Sequence, residues 1–241
     1  GGISGAWFPP LRAEAVNVRA VVDLDLGRAR EAVRRWELEA EASDDLAATL
    51  RRHRPDFVVD LTVPEAHRAV TCTALEAGCH VLGEKPMAAR MADAREMVAT
   101  AERTGQLYMV SQSRRWTGNH DRLRRTIADG RIGRVTAVNC DFYLGAHFGG
   151  FRTDMADPLL LDMAIHHFDL ARYWTGRDAT AVYAHAFNPA GSWYAGNAAA
   201  SCVFEMTGGV VFTYRGSWCA EGRSTSWHGD WRLISDRGTL T

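Results

Sequence analysis

The 241 residues carry a formal net charge of −1, with 46% hydrophobic and 24% charged side chains, the balance of a soluble globular protein. Near-neutrality removes any electrostatic reason to expect nucleic acid or an anionic membrane as partner, and no window approaches the ~18 consecutive apolar residues of a transmembrane helix. The five cysteines (Cys72, Cys79, Cys140, Cys202 and Cys219) are odd in number and lack CxxC spacing, which predicts a reducing cytoplasm rather than a disulfide frame or zinc knuckle.

The chain lacks an initiator Met, opens on "GGISGAWFPP" and ends on "WRLISDRGTLT", so it reads as part of a longer protein. The opening is a loop followed by a short helix, and "VRAVVDLD" (18–25) is a buried strand. Ala29, Ala32, Val33 and Trp36 fall at helical spacing, and Ser43 is a good N-cap for a further helix. "DFVVDLTV" (56–63) is a strand, Pro64 suits a helix first turn, and Gly78 ends that helix. "CHVLG" (79–83), a helix through Ala94 and Ala101 stopped by Gly105, and the strand "QLYMVSQ" (106–112) complete this half. Strands alternating with helices predict βαβ units in a doubly wound parallel sheet, with ligands at the carboxyl ends of its strands.

The second half differs. A helix near 118–129 leads to a long alternating strand at 134–145 and a helix near 159–174. Strands follow at 180–188, 197–206, 209–218 and 226–235, with "MTGGVV" (206–211) a Gly-Gly hairpin turn. Hairpin-linked strands predict a largely antiparallel sheet. The expected fold class is thus α/β plus α+β: a Rossmann domain over residues 1–115, lacking its first strand, and a C-terminally incomplete α+β domain over 116–241.

Three loops carry chemistry. "GGIS" opens a helix, and Asp23 follows Gly1 by 22 residues, near the ~20 expected of a dinucleotide fingerprint. Glycines admit the pyrophosphate, the helix N-terminus attracts its charge, and Asp23 would bind ribose hydroxyls and repel a 2′-phosphate, favouring NAD over NADP. "TVPEAH" (62–67) would line the cofactor groove with Thr62 and Pro64, with His67 in the first helical turn. "GEKPMA" (83–88) holds Lys85, the one lysine among 28 Lys+Arg residues. Pro86 stiffens the turn and aims the lysine, whose compact ammonium can bind one hydroxyl and tune its pKa where a guanidinium cannot. The candidate cofactor-binding residues are Gly1, Gly2, Ile3, Ser4, Asp23, Thr62, Pro64, His67, Glu84, Lys85 and Pro86.

The stretch "PLLLDMAIHHFDLARYWTG" (158–176) is apolar nearly all round and should be buried. Asp162, His166 and Asp169 nevertheless fall at i, i+4 and i+7 on one stripe, with His167 about 100° round from His166. Such a stripe is either a satisfied Asp–His–Asp network or a general base oriented by a carboxylate. "SRRWTG" offers Arg114 and Arg115, and "HFGGFRTDM" offers His147 and Arg152, as candidates for substrate hydroxyls. The candidate substrate-binding set is Arg115, His147, Arg152, Asp162 and His166.

"GGIS", Asp23 in "VVDLD", "TVPEAH", "AGCHVLGEKPMA" and "DMAIHHFD" together resemble the glucose–fructose oxidoreductase / inositol dehydrogenase / rhizopine-catabolism (Gfo/Idh/MocA) family across nearly the whole chain. The resemblance implies an N-terminal Rossmann domain, a large mostly antiparallel C-terminal sheet whose exposed face makes a homo-oligomer, and NAD(P)-dependent hydride transfer at a hydroxyl carbon of a sugar, inositol or related polyol. It implies Lys85, Asp162 and His166 as the catalytic group, NAD as cofactor with NADP possible, and no metal. Two other readings stay open: a metal-dependent hydrolase or isomerase using Asp162, His166 and a distant His185 or His147, and a catalytically silent NAD-binding sensor.

Overall fold

The computed structural model describes residues 3–241. Gly1 and Gly2 of the expected fingerprint lie outside the described residues. The chain divides into two compact units, the first ending at Ser111 and the second beginning at Gln112.

The first unit alternates helices and parallel strands. It runs α1 (Ser4–Ala13), β1 (Ala20–Val22), α2 (Leu26–Arg35), β2 (Glu41–Ser43), α3 (Leu46–His53), β3 (Phe57–Asp60), α4 (Pro64–Glu76), β4 (His80–Gly83), α5 (Met91–Thr104) and β5 (Tyr108–Val110). Asp25 caps α2 by accepting from the Gly27 and Arg28 amides, and Pro64 opens α4 where no amide partner is needed. Leu50, Ala74, Leu75, Cys79 and Val81 form its core.

Two local expectations are corrected. Ser43 is not the cap of α3 but the last residue of β2; Asp45 caps α3 by accepting from the Ala48 amide. The parallel strands also form two sheets, β1–β2 and β3–β4–β5, rather than one. The short β2, "EAS", lacks the apolar alternation that marks a strand, and only its parallel pairing with β1 makes it one.

The second unit contains α6 (Gly118–Ala128), β6 (Val135–Tyr143), a single turn α7 (Phe151–Asp154), a π-helical stretch (Leu159–Ala164), α8 (Ile165–Thr175), and strands β7 (Ala179–Phe187), β8 (Ala199–Met206), β9 (Val210–Ser217), β10 (Asp230–Ser235) and β11 (Gly238–Leu240). The sheet order is β11-β10-β6-β9-β8-β7. Every pairing is antiparallel except β6 with β9. The β8–β9 hairpin turns through Gly208 and Gly209, both at positive φ (75° and 76°), as the Gly-Gly pair predicts.

The segment 159–174 is buried as its composition predicts: Leu159, Met163, Ala164, Leu170, Ala171 and Trp174 join Val138, Phe142, Phe212, Tyr214 and Trp218 in one core. Its first six residues are π-helical rather than α-helical, so Asp162 sits in a widened turn that feeds directly into α8. Beyond the core, the edge strand β7 is exposed along nearly its whole length. No helix among the described residues is long and apolar enough to cross a membrane.

Candidate functional site

In the first unit the carboxyl ends of β3 and β4 are knitted together. Asp60, 1% exposed at the end of β3, accepts from the amide and hydroxyl of Thr62 at 3.1 and 2.6 Å through Oδ1, and from the Thr71 hydroxyl at 3.2 Å through Oδ2. This pins the loop that opens α4. The loop after β4 is held just as firmly. The Glu84 amide donates to the Asp60 carbonyl at 2.9 Å. Glu84 Oε1 accepts from Trp7 Nε1 on α1 at 2.7 Å, and Oε2 accepts from the Lys85 amide at 3.0 Å.

His67 joins the two loops. It is 2% exposed, with Nδ1 2.9 Å from the Pro86 carbonyl and Nε2 3.1 Å from the Thr62 carbonyl. The Lys85–Pro86 peptide is cis. Thr62, His67, Glu84, Lys85 and Pro86 are thus brought to one strand edge, with Pro64 at the first turn of α4. Asp60, the hub of that arrangement, escaped the sequence reading. The signal was present, because an Asp two residues before a Thr at a strand end is an Asx-turn spacing.

The residues expected from sequence to hold the dinucleotide have the following geometry. α1 has no side-chain cap and no acidic residue in its first turn, so the positive end of its dipole suits a pyrophosphate. Asp23 follows β1, its amide donating to the Ser43 carbonyl and its Oδ1 accepting from the Asp25 amide. That bond orients the carboxylate and leaves Oδ2 for ribose hydroxyls.

The second unit holds the Asp–His helix. Asp162 is 4% and His166 8% exposed. Asp162 Oδ2 accepts from Arg152 Nε at 2.6 Å, and the Arg152 guanidinium also lies over the Phe148 and Phe151 rings. His166 Nδ1 lies 3.0 Å from Gln112 Oε1. With an amide oxygen as acceptor, Nδ1 carries the proton and Nε2 the lone pair, the tautomer a general base needs.

Asp169 is bound by Arg115 through both Nε and Nη2, and Arg115 also stacks on Tyr173. Arg115 therefore has a carboxylate partner within its own unit. Asp162, His166 and Asp169 each have a different partner, in Arg152, Gln112 and Arg115. His147 stacks on Trp193 with ring centroids 3.6 Å apart, and His185 stacks on Phe187 along β7. Among the described residues no three His, Cys, Asp or Glu side chains cluster as a metal site. Gln112 was missed by sequence reasoning, since a neutral amide after a strand carries no spacing signal.

Comparison with known proteins shows the family and the fold. Residues 4–112 match the family model described as "Oxidoreductase family, NAD-binding Rossmann fold", and residues 120–241 match the GFO/IDH/MocA C-terminal domain. The chain is 32% identical over 214 residues to D-apiose dehydrogenase of Paraburkholderia graminis, covering 86% of this chain and 54% of that protein. It is 32% identical over 179 residues to D-glucoside 3-dehydrogenase of Escherichia coli, covering 72% of this chain and 51% of that protein. It therefore spans about half the length of these relatives. The fold matches the solved myo-inositol dehydrogenase of Lactobacillus casei, crystallised with NAD(H) and myo-inositol, at a TM-score of 0.82 and 22% identity, covering 93% of this chain and 65% of that one. With both domain models matched in order along the chain, the protein belongs to the Gfo/Idh/MocA family of oxidoreductases.

Proposed function

We propose that the full-length protein is an NAD-dependent dehydrogenase that oxidises a CH–OH group of a sugar, inositol or related polyol, with Lys85, Asp162 and His166 as its catalytic residues. The observation that carries this reading is the Gln112–His166 pair: a buried histidine held as the Nδ1–H tautomer, on the helix that also bears Asp162. The names of the sugar dehydrogenases it resembles support the substrate class.

NAD, when bound, supplies the hydride acceptor. The chain's own residues do the rest. His166 takes the proton of the reacting hydroxyl at Nε2, a step worth roughly 10²–10⁴-fold. Lys85 donates a hydrogen bond to the oxygen as negative charge develops on it. Asp162, fixed by Arg152, binds a neighbouring hydroxyl. The turn around Lys85, held through the Glu84 and Lys85 amides, fixes the backbone from which the lysine projects.

The domain division expected from sequence, at residue 115, enters this proposal as a functional one: cofactor before it, substrate after it. The exposed face of the second sheet, with Tyr183 73%, Val203 42% and Val211 41% exposed, supports a homo-oligomer built through that face. Five free cysteines support a reducing cytoplasm as the compartment.

The test is NADH absorbance with the full-length protein and a panel of sugars and inositols, using NAD and NADP in parallel. His166→Ala should lower turnover about 10²–10⁴-fold. Lys85→Arg should abolish most activity while NAD binding, read by fluorescence titration, persists. Wild-type turnover in His166→Ala would overturn the assignment. NAD binding without turnover of any polyol would favour the sensor reading.

A further inference from the structure

Arg114 is a cation that the second unit leaves without an acidic partner. It lies in the short 3₁₀ turn Ser113–Trp116 and is partly buried. Its Nη1 donates to the Trp227 carbonyl at 2.5 Å and lies 3.4 Å from His167 Nε2, and its Nη2 reaches Met163 Sδ at 3.6 Å. A carbonyl dipole and a thioether are poor compensation for a desolvated guanidinium. Neighbouring Arg115 shows the contrast, with its fork filled by the Asp169 carboxylate.

The groups that face Arg114 share this character. His167 is fully buried and its Nδ1 has no hydrogen-bond partner among the described residues. His120 and His228 stand 3.2 Å apart, Nε2 to Nδ1, and Arg114 depresses the basicity of both, burial being the larger cause in each case. Burial likewise lowers Arg114 itself to about 10, and the only groups opposing that shift are the neutral Tyr214 and Cys140. No Asp or Glu forms an ion pair with Arg114 among the described residues.

Donor accounting shows where a counter-ion fits. Of the five guanidinium protons, the two on Nη1 are aimed at Trp227 and His167 and one on Nη2 at Met163. The Nε proton has no partner among the described residues, and Nη2 has there only the Met163 thioether. Nε and Nη2 together form the side-on edge of the fork, the edge that grips a carboxylate or phosphate. One wall of the site, Trp227 (45% exposed) and His228, reaches solvent. Met163 and His167, which Arg114 touches, are next in sequence to Asp162 and His166, so the guanidinium flanks the helix stripe assigned to catalysis.

We propose that Arg114 anchors an oxyanion subsite, and that the substrate is an acidic sugar or polyol whose carboxylate or phosphate binds the Nε/Nη2 edge while its reacting hydroxyl faces His166. This rests on the dehydrogenase reading for the hydroxyl, whereas the anion site stands on Arg114 alone. His167 and His120, kept neutral, leave the guanidinium as the charge that selects the ligand.

The experiment compares three ligands that share one ring: D-glucose, D-glucuronate and D-glucose 6-phosphate. Binding to the full-length protein is measured by calorimetry with and without NAD, and turnover by NADH formation. Saturable binding of glucuronate or the 6-phosphate, at least tenfold tighter than glucose, is expected, and which of the two binds tells carboxylate from phosphate. Arg114→Gln should weaken that ligand about 10- to 100-fold, through KM more than kcat, and by at least tenfold more than it affects glucose. Arg114→Lys, which keeps the charge but loses the fork, should fall between, with a melting temperature close to wild type. Equal weakening of charged and neutral ligands, or no preference for either anion in the wild type, would overturn the proposal. Anion binding lost in Arg114→Gln without turnover of any ligand would uphold the subsite and count against the dehydrogenase reading instead.

Discussion

Nδ1 of His166 lies 3.0 Å from Oε1 of Gln112, and that bond decides which nitrogen can act as a base. Gln112→Leu removes the acceptor and frees the ring to change tautomer. Turnover should drop about tenfold, a part of the 10²–10⁴ that a general base supplies. Gln112→Glu is more diagnostic. A carboxylate beside the ring favours imidazolium, so the acid limb of the kcat/KM profile should move to higher pH. An unmoved limb would show that the two side chains do not communicate.

His67 sets one ring nitrogen beside the Pro86 carbonyl and the other beside that of Thr62, so the ring, donating to one of them, packs the loop after β3 against the loop that presents Lys85. His67→Phe keeps the volume and leaves the carbonyl served by the ring N–H without that partner. The cost should be about 1–3 kcal/mol, read as a lower thermal midpoint, and NAD affinity should fall more than substrate affinity. A variant with native stability and native NAD affinity would reduce His67 to packing.

Burial, then His228 and Arg114, lowers His120 to about 4, against an unfolded value near 6.5. Between those values the unfolded chain binds a proton that the folded chain refuses, so folding stability rises with pH through the window. The contribution is complete above about pH 6.5 and is lost as pH falls toward 4. Burial and Arg114 shift His167 and His228 in the same direction. Urea midpoints measured from pH 7.5 to 4.5 should therefore fall, and His120→Gln should flatten the slope. A steeper slope in that variant would contradict the sign.

Gly196 is enclosed by backbone: a Cβ there would stand 2.1 Å from the Ala156 carbonyl oxygen and 2.3 Å from that of Met155. On either side, the Ala195 amide donates to Thr153 and the Asn197 amide to Ala156. Gly196→Ala must push apart the loop that follows Arg152. A loss of about 1–3 kcal/mol is expected, visible as a lower melting temperature, together with a raised KM. A fully native melting temperature would mean that the loop yields freely.

What could be read in advance follows a physical pattern. Lys85, Asp162 and His166 stood out because each is a rare choice for its place: a lone lysine, and ionisable groups on a greasy helix. The β-strands of the second unit announced themselves by alternation, as in β6. The missed features lack such contrast. Gln112 is an unremarkable amide until α8 packs beside it. β2 is a strand only because β1 pairs with it. The division of the parallel strands into two sheets depends on long-range hydrogen bonds that no local pattern encodes.

The π-helical stretch at Leu159–Ala164 also escaped the pattern, and it changes what a deletion means in this protein. A π turn is an α turn with one residue to spare. Deleting one residue from 159–161 would let the turn relax to α geometry, and because the π turn already holds the extra residue, the preceding segment, with Asp157 and the Arg152 turn, would keep its bearing around the axis of α8. His166 and Asp169, downstream, would keep their bearings. A one-codon deletion here is thus a change of turn type rather than a rotation: it would narrow the turn that carries Asp162 and leave the hydrophobic seam of α8 in register.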